Sequence, residues 1–485
     1  MHRTICFATF LVAHIALAGN WPQFRGLQGS GVAIDNDVPV HFGPQSNVLW
    51  KAEVPAGHSS PVIWRDKIFL TGFADEELQT FCLNGRTGRE LWRRSVKPTK
   101  LERGTRNSHP ATSTPCTDGE TLFVYFGSFG ALAYDFDGKE LWRTSLPVPI
   151  TQHGASSSPV LTGGVVILQR DADTDSHLLA LNKRDGKMAW KTERPDARRS
   201  FSTPLVVGRA VLSTPHGEAI TARRGEDTAP YQIIVPGTLR VAAYDAKDGR
   251  ELWTVRGLPN EMCSSPVFGD GLIFIAGWTP GAGVATLPNF DALLERGDKN
   301  QDGKLSQAEA PPGPLKQQFV YTDADKDGLA TRAEWNAISE IFSRSENVAL
   351  AIRPGGSGDI TKTHVAWKQT RGLPYVPTPL LYDHRLYLVR NGGLLSCFNA
   401  TNGAAVFQEE RIGALGDYYA SPVAAGGRIC VISQSGTATI LAAGDELKVL
   451  ARNTLGGAVL ATPAISDNTL YVRTATALYA FRTAD

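Results

Sequence analysis

Two acidic loops carry the clearest chemistry in this 485-residue chain. Asp298 to Glu309 reads DKNQDGKLSQAE and Asp323 to Glu334 reads DADKDGLATRAE. Both meet the pattern D-x-[DN]-x-[DN]-G-x5-E throughout. In such a loop, oxygen-bearing side chains at positions 1, 3 and 5 turn inward and position 7 offers its carbonyl. A Glu at position 12 closes the shell round one hard cation with both carboxylate oxygens. Gly303 and Gly328 stand at position 6, where the chain must turn sharply. Two such copies 25 residues apart make coincidence a poor explanation.

A second constellation is built from histidines. His58, His109 and His153, three of the ten in the chain, each stand shortly before a Ser-Pro or Thr-Pro pair. Asn107, Arg198, Arg199, Tyr418 and Tyr419 occupy comparable stretches. If those stretches converge on an axis, they line a polar pocket where His58, His109, His153 and Arg199 are the candidates for metal ligand or base. The plainer reading is that these are satisfied loop residues. No GxSxG, HExxH or phosphate-cradling Gly loop accompanies them, so no catalytic set is complete.

The elements that must position these residues repeat. Pro61, Pro115, Pro159, Pro204, Pro266, Pro379, Pro422 and Pro463 each follow Ser or Thr and open an apolar run, at spacings of 54, 44, 45, 62, 113, 43 and 41. Within the units a turn-and-strand signature recurs: LNGRTGRELW (Leu83 to Trp92), YDFDGKELW (Tyr134 to Trp142), LNKRDGKMAW (Leu181 to Trp190), YDAKDGRELW (Tyr244 to Trp253) and FNATNGAAVF (Phe398 to Phe407). One unit reads as four strands, PVLT, VVILQR, HLLALN and MAWKTE. Four short antiparallel strands in a little over 40 residues are the mark of a propeller blade.

The last unit ends after three strands, while Asn47 to Val54 reads as a strand with no unit of its own. Pairing these two ends closes the ring and leaves no free sheet edge. The expected fold is therefore all-β, an eight-bladed propeller of four-stranded antiparallel blades closed by the N- and C-terminal strands. The 113-residue spacing holds the two acidic loops between helical stretches, and a smaller excess, about His216 to Arg240, reads as an extended hairpin or loop. The division is a leader over 1–18, propeller over 19–284, an insertion over 285–346, and propeller again over 347–485.

Residues 1–18 look like a secretory signal, with His2 and Arg3 before an apolar run and a small-x-small site ending at Ala18. The expected location is periplasmic or secreted. No later stretch is long and apolar enough to span a bilayer. The formal charge of +1 argues against nucleic acid as a partner. Cys82, Cys116, Cys263, Cys397 and Cys430 are scattered, which suits buried thiols in strands better than a disulfide framework.

The two acidic loops resemble those of the EF-hand family, over about Pro288 to Arg344. The resemblance implies calcium bound by Asp298, Asn300, Asp302, Lys304 (backbone), Ser306 and Glu309, and by Asp323, Asp325, Asp327, Leu329 (backbone), Thr331 and Glu334. Ala330 stands at position 8, where the family usually has a branched apolar residue. The spacing leaves room for one short helix around Pro314 to Tyr321. Export into steadily high calcium points to a structural rather than a signalling ion.

The Asp-Gly-Lys/Arg-Glu-Leu-Trp stretches resemble the tryptophan-docking repeats of the pyrroloquinoline quinone (PQQ) propellers, over nearly the whole chain after the leader apart from the insertion. The resemblance implies that Trp50, Trp92, Trp142, Trp190, Trp253 and Trp367 wedge between neighbouring blades. Within that superfamily, quinoprotein alcohol dehydrogenases hold a quinone in the funnel beside an adjacent-Cys ring, and no adjacent pair exists here. The outer-membrane assembly scaffold is a non-enzymatic binder with a lipid-anchor Cys, which is also missing here. The expected function is a monomeric, exported, calcium-binding scaffold whose partner is an exported protein or a cell-envelope component. The alternatives are a PQQ-dependent alcohol or sugar dehydrogenase and a polysaccharide-active hydrolase or lyase.

Overall fold

A computed structural model of the chain describes residues 19–34, 37–208, 231–282 and 287–483. The expected leader lies outside the described residues, and so do residues 216–230 of the smaller excess. Of the two expected readings for the rest of that stretch, the hairpin holds: Gln232–Gly237 pairs antiparallel with Arg240–Asp245.

Eight antiparallel sheets follow one another round a ring. The unit read from sequence forms strands Val160–Thr162, Val165–Arg170, His177–Asn182 and Met188–Glu193 in the expected order. The middle strands of each blade are buried, for example the whole of Leu272–Gly277 and Ala477–Phe481. Outer strands alternate, as in Glu140–Ser145, because one face meets solvent. The eighth blade closes as expected. Val48–Glu53 pairs antiparallel with Ala477–Phe481, with Trp50 opposite Ala480. Blade four gains a fifth strand, Gly358–Asp359, which leaves blade five to pair in parallel with Glu251–Arg256.

The docking tryptophans explain the turn signature. Trp142 Nε1 donates to the Lys183 carbonyl of the next blade (2.7 Å), and Gly186 of that blade's turn, at φ +68°, lies flat against the Trp142 ring. A Cβ there would come within 2.4 Å of the ring, so only glycine allows both the left-handed turn and the approach. The same bond links Trp50 to Gly85, Trp92 to Phe136, Trp190 to Ala246 and Trp367 to Ala400. Trp253 differs. It faces blade five, which lacks this turn, and donates instead to Gln232 of its own blade.

At the inner edge the Ser or Thr before each proline joins a belt. The backbone N–H of Ser60, Thr114, Ser158, Thr203, Ser265, Thr378 and Ser421 each donates to the hydroxyl of the Ser or Thr one blade on, at 2.9–3.1 Å. Ser and Thr alternate round the whole circle. The Ser60 hydroxyl, which the eighth bond would use, has no partner.

Candidate functional site

Strands in a blade alternate in direction, so loops running from one blade's outer strand to the next blade's inner strand open on the same face as loops between second and third strands. The first kind converge on the axis above the Ser/Thr belt and enclose a funnel of about 330 Å³. The opposite face is closed by the chain's own start. Trp21 bridges to Ile63, Pro22 accepts from Thr117, and Arg25 reaches the Pro379 and Pro422 carbonyls (both 2.9 Å). This arm crosses the axis and sets Phe24 at the end of the funnel. Arg25 is wholly buried without a carboxylate, and burial lowers its pKa to about 9.

His58, Asn107, His153 and Tyr419, of the candidates read from sequence, do line the funnel. The others do not. His109 packs behind His58 with ring centres 5.1 Å apart and faces an outer crevice. Tyr418 is buried, its hydroxyl donating to the Ala414 carbonyl. Arg198 and Arg199 turn away to the insertion: Arg198 donates to the Tyr321 carbonyl (3.0 Å), and Arg199 to Gln318 (3.1 Å). The Arg199 guanidinium also stacks 4.5 Å from the Tyr321 ring centre and pairs with Asp173 at 2.6 Å.

The imidazoles are poor bases. Burial, then His109 and Arg473, lower the His58 pKa to about 3, and burial with Arg473 lowers that of His109 to about 4. Burial and Arg199 also lower the His153 pKa. His58 and His109 are therefore neutral at pH 7 and too weakly basic to take a proton efficiently there.

The far wall was not legible in the sequence. Glu261 and Cys263, on the loop into blade five, and Tyr375, on the loop into blade six, face the funnel opposite His58. Burial raises the pKa of Glu261, against the opposing pull of Arg199, and the Tyr375 hydroxyl hydrogen-bonds its carboxyl. Burial likewise raises the Cys263 thiol and the Tyr375 phenol. The other four cysteines sit buried in strands, and none of the five is in a disulfide. The one available signal was position, because Glu261 and Cys263 immediately precede the Ser265-Pro266 pair as the histidines precede theirs.

The insertion rises from the same face, between Leu272–Gly277 and Val348–Ile352. It contains α1 (Phe290–Gly297), two short helices α2 (Pro314–Gln317) and α3 (Phe319–Thr322) where one was expected, and α4 (Arg332–Ser343). Leu305–Ser306 pairs antiparallel with Leu329–Ala330, so the small Ala330 does not prevent the loops from meeting. Leu305, Ala330, Phe319 and Trp335 share one core.

Each loop curls on its own carboxylates. Asp298 accepts from the Gly303 amide and Asp323 from Gly328 (both 3.0 Å), the contacts that hold the turn. Asn300 accepts from Asp302, Asp302 from Lys304, Asp325 from Asp327 and Asp327 from Leu329. Glu309 is bound by Ser306, and Glu334 by Thr331 and the Ala324 amide. Oxygens of Asp323, Asp325 and Glu334 lie within 4.8 Å of one another. Asp323 Oδ1 is buried without a partner. An acceptor-only set with a buried orphan oxygen fits a hard cation.

Residues 79–231 and 358–485 match the family described as outer membrane protein assembly factor BamB. The chain belongs to this family. BamB from Moraxella catarrhalis superposes with a TM-score of 0.54 at 13% identity, over 89% of this chain and 98% of that one. The quinohemoprotein alcohol dehydrogenase from Comamonas testosteroni gives 0.55 at 11%, over 98% and 82%. A europium-containing methanol dehydrogenase gives 0.53 at 10%, over 94% and 89%. These likenesses establish the propeller alone. A comparison with curated proteins yields no match. Among the described residues no helix is long and apolar enough to cross a membrane.

Proposed function

We propose that this member of the BamB family is an exported, calcium-loaded propeller that acts as a binding or scaffold protein for an exported protein or a cell-envelope component. The observation that carries the reading is the funnel: a closed-ended cavity lined by neutral imidazoles, hydroxyls and aromatic rings, with one acid. Calcium would be held by Asp323, Asp325, Asp327, Thr331, Glu334 and the Leu329 carbonyl, and by the matching residues of the first loop. When bound, it supplies positive charge that lets the crowded carboxylates stay together and fixes the loops.

The quinone alternative fits the funnel poorly. PQQ is a planar tricarboxylate, and no Lys or Arg lines this cavity, while Glu261 would repel it. A His acting as base is disfavoured by the lowered pKa of His58. Glycoside hydrolysis wants two carboxyls flanking one bond, and Glu261 is the single carboxyl among the lining residues.

Two measurements test the reading. Calorimetry with calcium should show up to two sites, lost in Glu309→Gln plus Glu334→Gln; no heat with the unaltered chain refutes the calcium assignment. Adding PQQ should give neither a bound chromophore nor dye-linked oxidation of alcohols or sugars. Stoichiometric quinone with turnover would overturn the scaffold reading.

A further inference from the structure

We infer that the axial funnel is a receptor for a small organic cation, an ammonium group carrying apolar substituents, seated against Glu261 among the aromatic rings. The inference rests on the binding reading above and names the ligand class of that site.

The charge pattern points to a cation. No Lys or Arg is among the residues lining the cavity. Two guanidinium groups that act on lining histidines are committed elsewhere. Arg199 pairs with Asp173 and donates to Gln152 and Gln318. Arg473, wholly buried behind His58, donates to the Ser59 and Pro55 carbonyls and the Ser59 hydroxyl. The imidazoles add no positive charge at neutral pH. Arg198 and Arg199 both act on Asp173, where Arg199 forms its ion pair, whereas Glu261, 9% exposed and facing the cavity, is in no ion pair among the described residues. A buried carboxylate without a cationic partner is costly, and an ammonium ligand would supply that partner.

The shape suits the same ligand. Phe24 forms the end of the cavity, and Phe201, Tyr375 and Tyr419 stand in its wall. Tyr419 is held in place by a 2.6 Å bond from Asn107, and Tyr375 packs edge-on against Trp278. Ring faces around a carboxylate attract alkylated ammonium groups through the ring quadrupole, most strongly where water is excluded. An anion would meet Glu261 and no counter-charge. A neutral ligand of the same shape would fill the volume without satisfying the acid.

The test compares three probes by calorimetry on the full chain with calcium present: choline, its uncharged isostere 3,3-dimethyl-1-butanol, and butyrate. Choline should bind, the isostere about ten-fold more weakly or worse, and butyrate not at all. Glu261→Gln should bring choline down to the isostere's level. Should that variant fail to fold, Tyr419→Leu serves, and it should weaken choline more than the isostere. An isostere that binds as well as choline, preferred binding of butyrate, or no binding by any probe overturns the cation assignment. Those outcomes leave the scaffold reading standing, since a neutral or macromolecular ligand would satisfy it. Quinone turnover would remove the scaffold reading whatever choline does.

Discussion

The joint between blades two and three and the joint that closes the ring between blades eight and one are alike at the rim and different at the axis. At the rim, Trp142 donates to Lys183 with Gly186 beneath its ring, and Trp50 donates to Gly85 with Gly88 beneath its own. At the axis, the Thr114 amide donates to Ser158 in the first joint, whereas the Ser60 hydroxyl of the second is unpartnered. Arg473 spans the closing joint instead, binding Ser59 and Pro55. The docking contact works whether or not the two blades are consecutive in the chain, because it needs only a ring, a carbonyl and a glycine. The inner contact depends on how the chain arrives. Ser60 is reached directly from the closing strand, and a buried guanidinium occupies the space.

Substitutions can break or sharpen this contrast. Trp142→Ala removes a large buried ring from the regular joint and should cost about 3–5 kcal/mol, read as a lowered unfolding midpoint; a much smaller loss would mean that the rim does not hold the blades. Next comes Glu102, which ties the loop into blade two to the Ala155 amide of the loop into blade three. Burial lifts its carboxyl from 4.5 to about 7. The folded chain therefore keeps a proton that the unfolded chain releases, so this group's contribution is greatest at low pH and is lost as pH rises through about 7. Glu102→Gln should be more stable than the unaltered chain at pH 8, by up to about 3 kcal/mol, and nearly equal to it at pH 4.5 and below. Equal stability at pH 8 would rule out a buried carboxylate.

Ser158→Ala leaves the Thr114 amide without its acceptor and should cost about 1–2 kcal/mol. Ser60→Ala, at the equivalent place in the closing joint, should change stability by less than about 0.5 kcal/mol. Equal losses in denaturant titrations of the two would erase the contrast. The smallest effect is a titration: Arg473→Met removes a positive neighbour, so His58 and His109 should both titrate at higher pH, measurable by proton NMR of the imidazoles.

Much of the ring was legible because its signals are local. Asp-Gly-Lys-Glu-Leu-Trp is a turn and a strand within a few residues, and its repetition counts the blades. The orphan strand at Trp50 could be matched to the three-stranded C-terminal unit because a propeller allows no unpaired edge. The matching places of His58, His109 and His153 before their Ser/Thr-Pro pairs put them near the axis, though His109 packs behind His58. Tyr418 and Tyr419 show how little sequence says about direction, since adjacent residues on one loop point to opposite sides of the wall.

By itself, then, the sequence determined the blade unit, the number of blades, the closing pair and the residue pattern of the two acidic loops, all of which follow from periodicity and short-range geometry. Only the tertiary structure decided what faces the axis. Glu261, Cys263 and Tyr375 share only their place before a Ser/Thr-Pro pair and no residue type with the loops of His58 and His153, and Phe24 arrives from an arm far away in the chain. Side chains from eight separate loops meet there because the ring brings their ends together, and no spacing along the chain encodes that distance. The same holds for Arg199 under Tyr321, a contact between a blade loop and the insertion that sets the acidic loops beside the funnel.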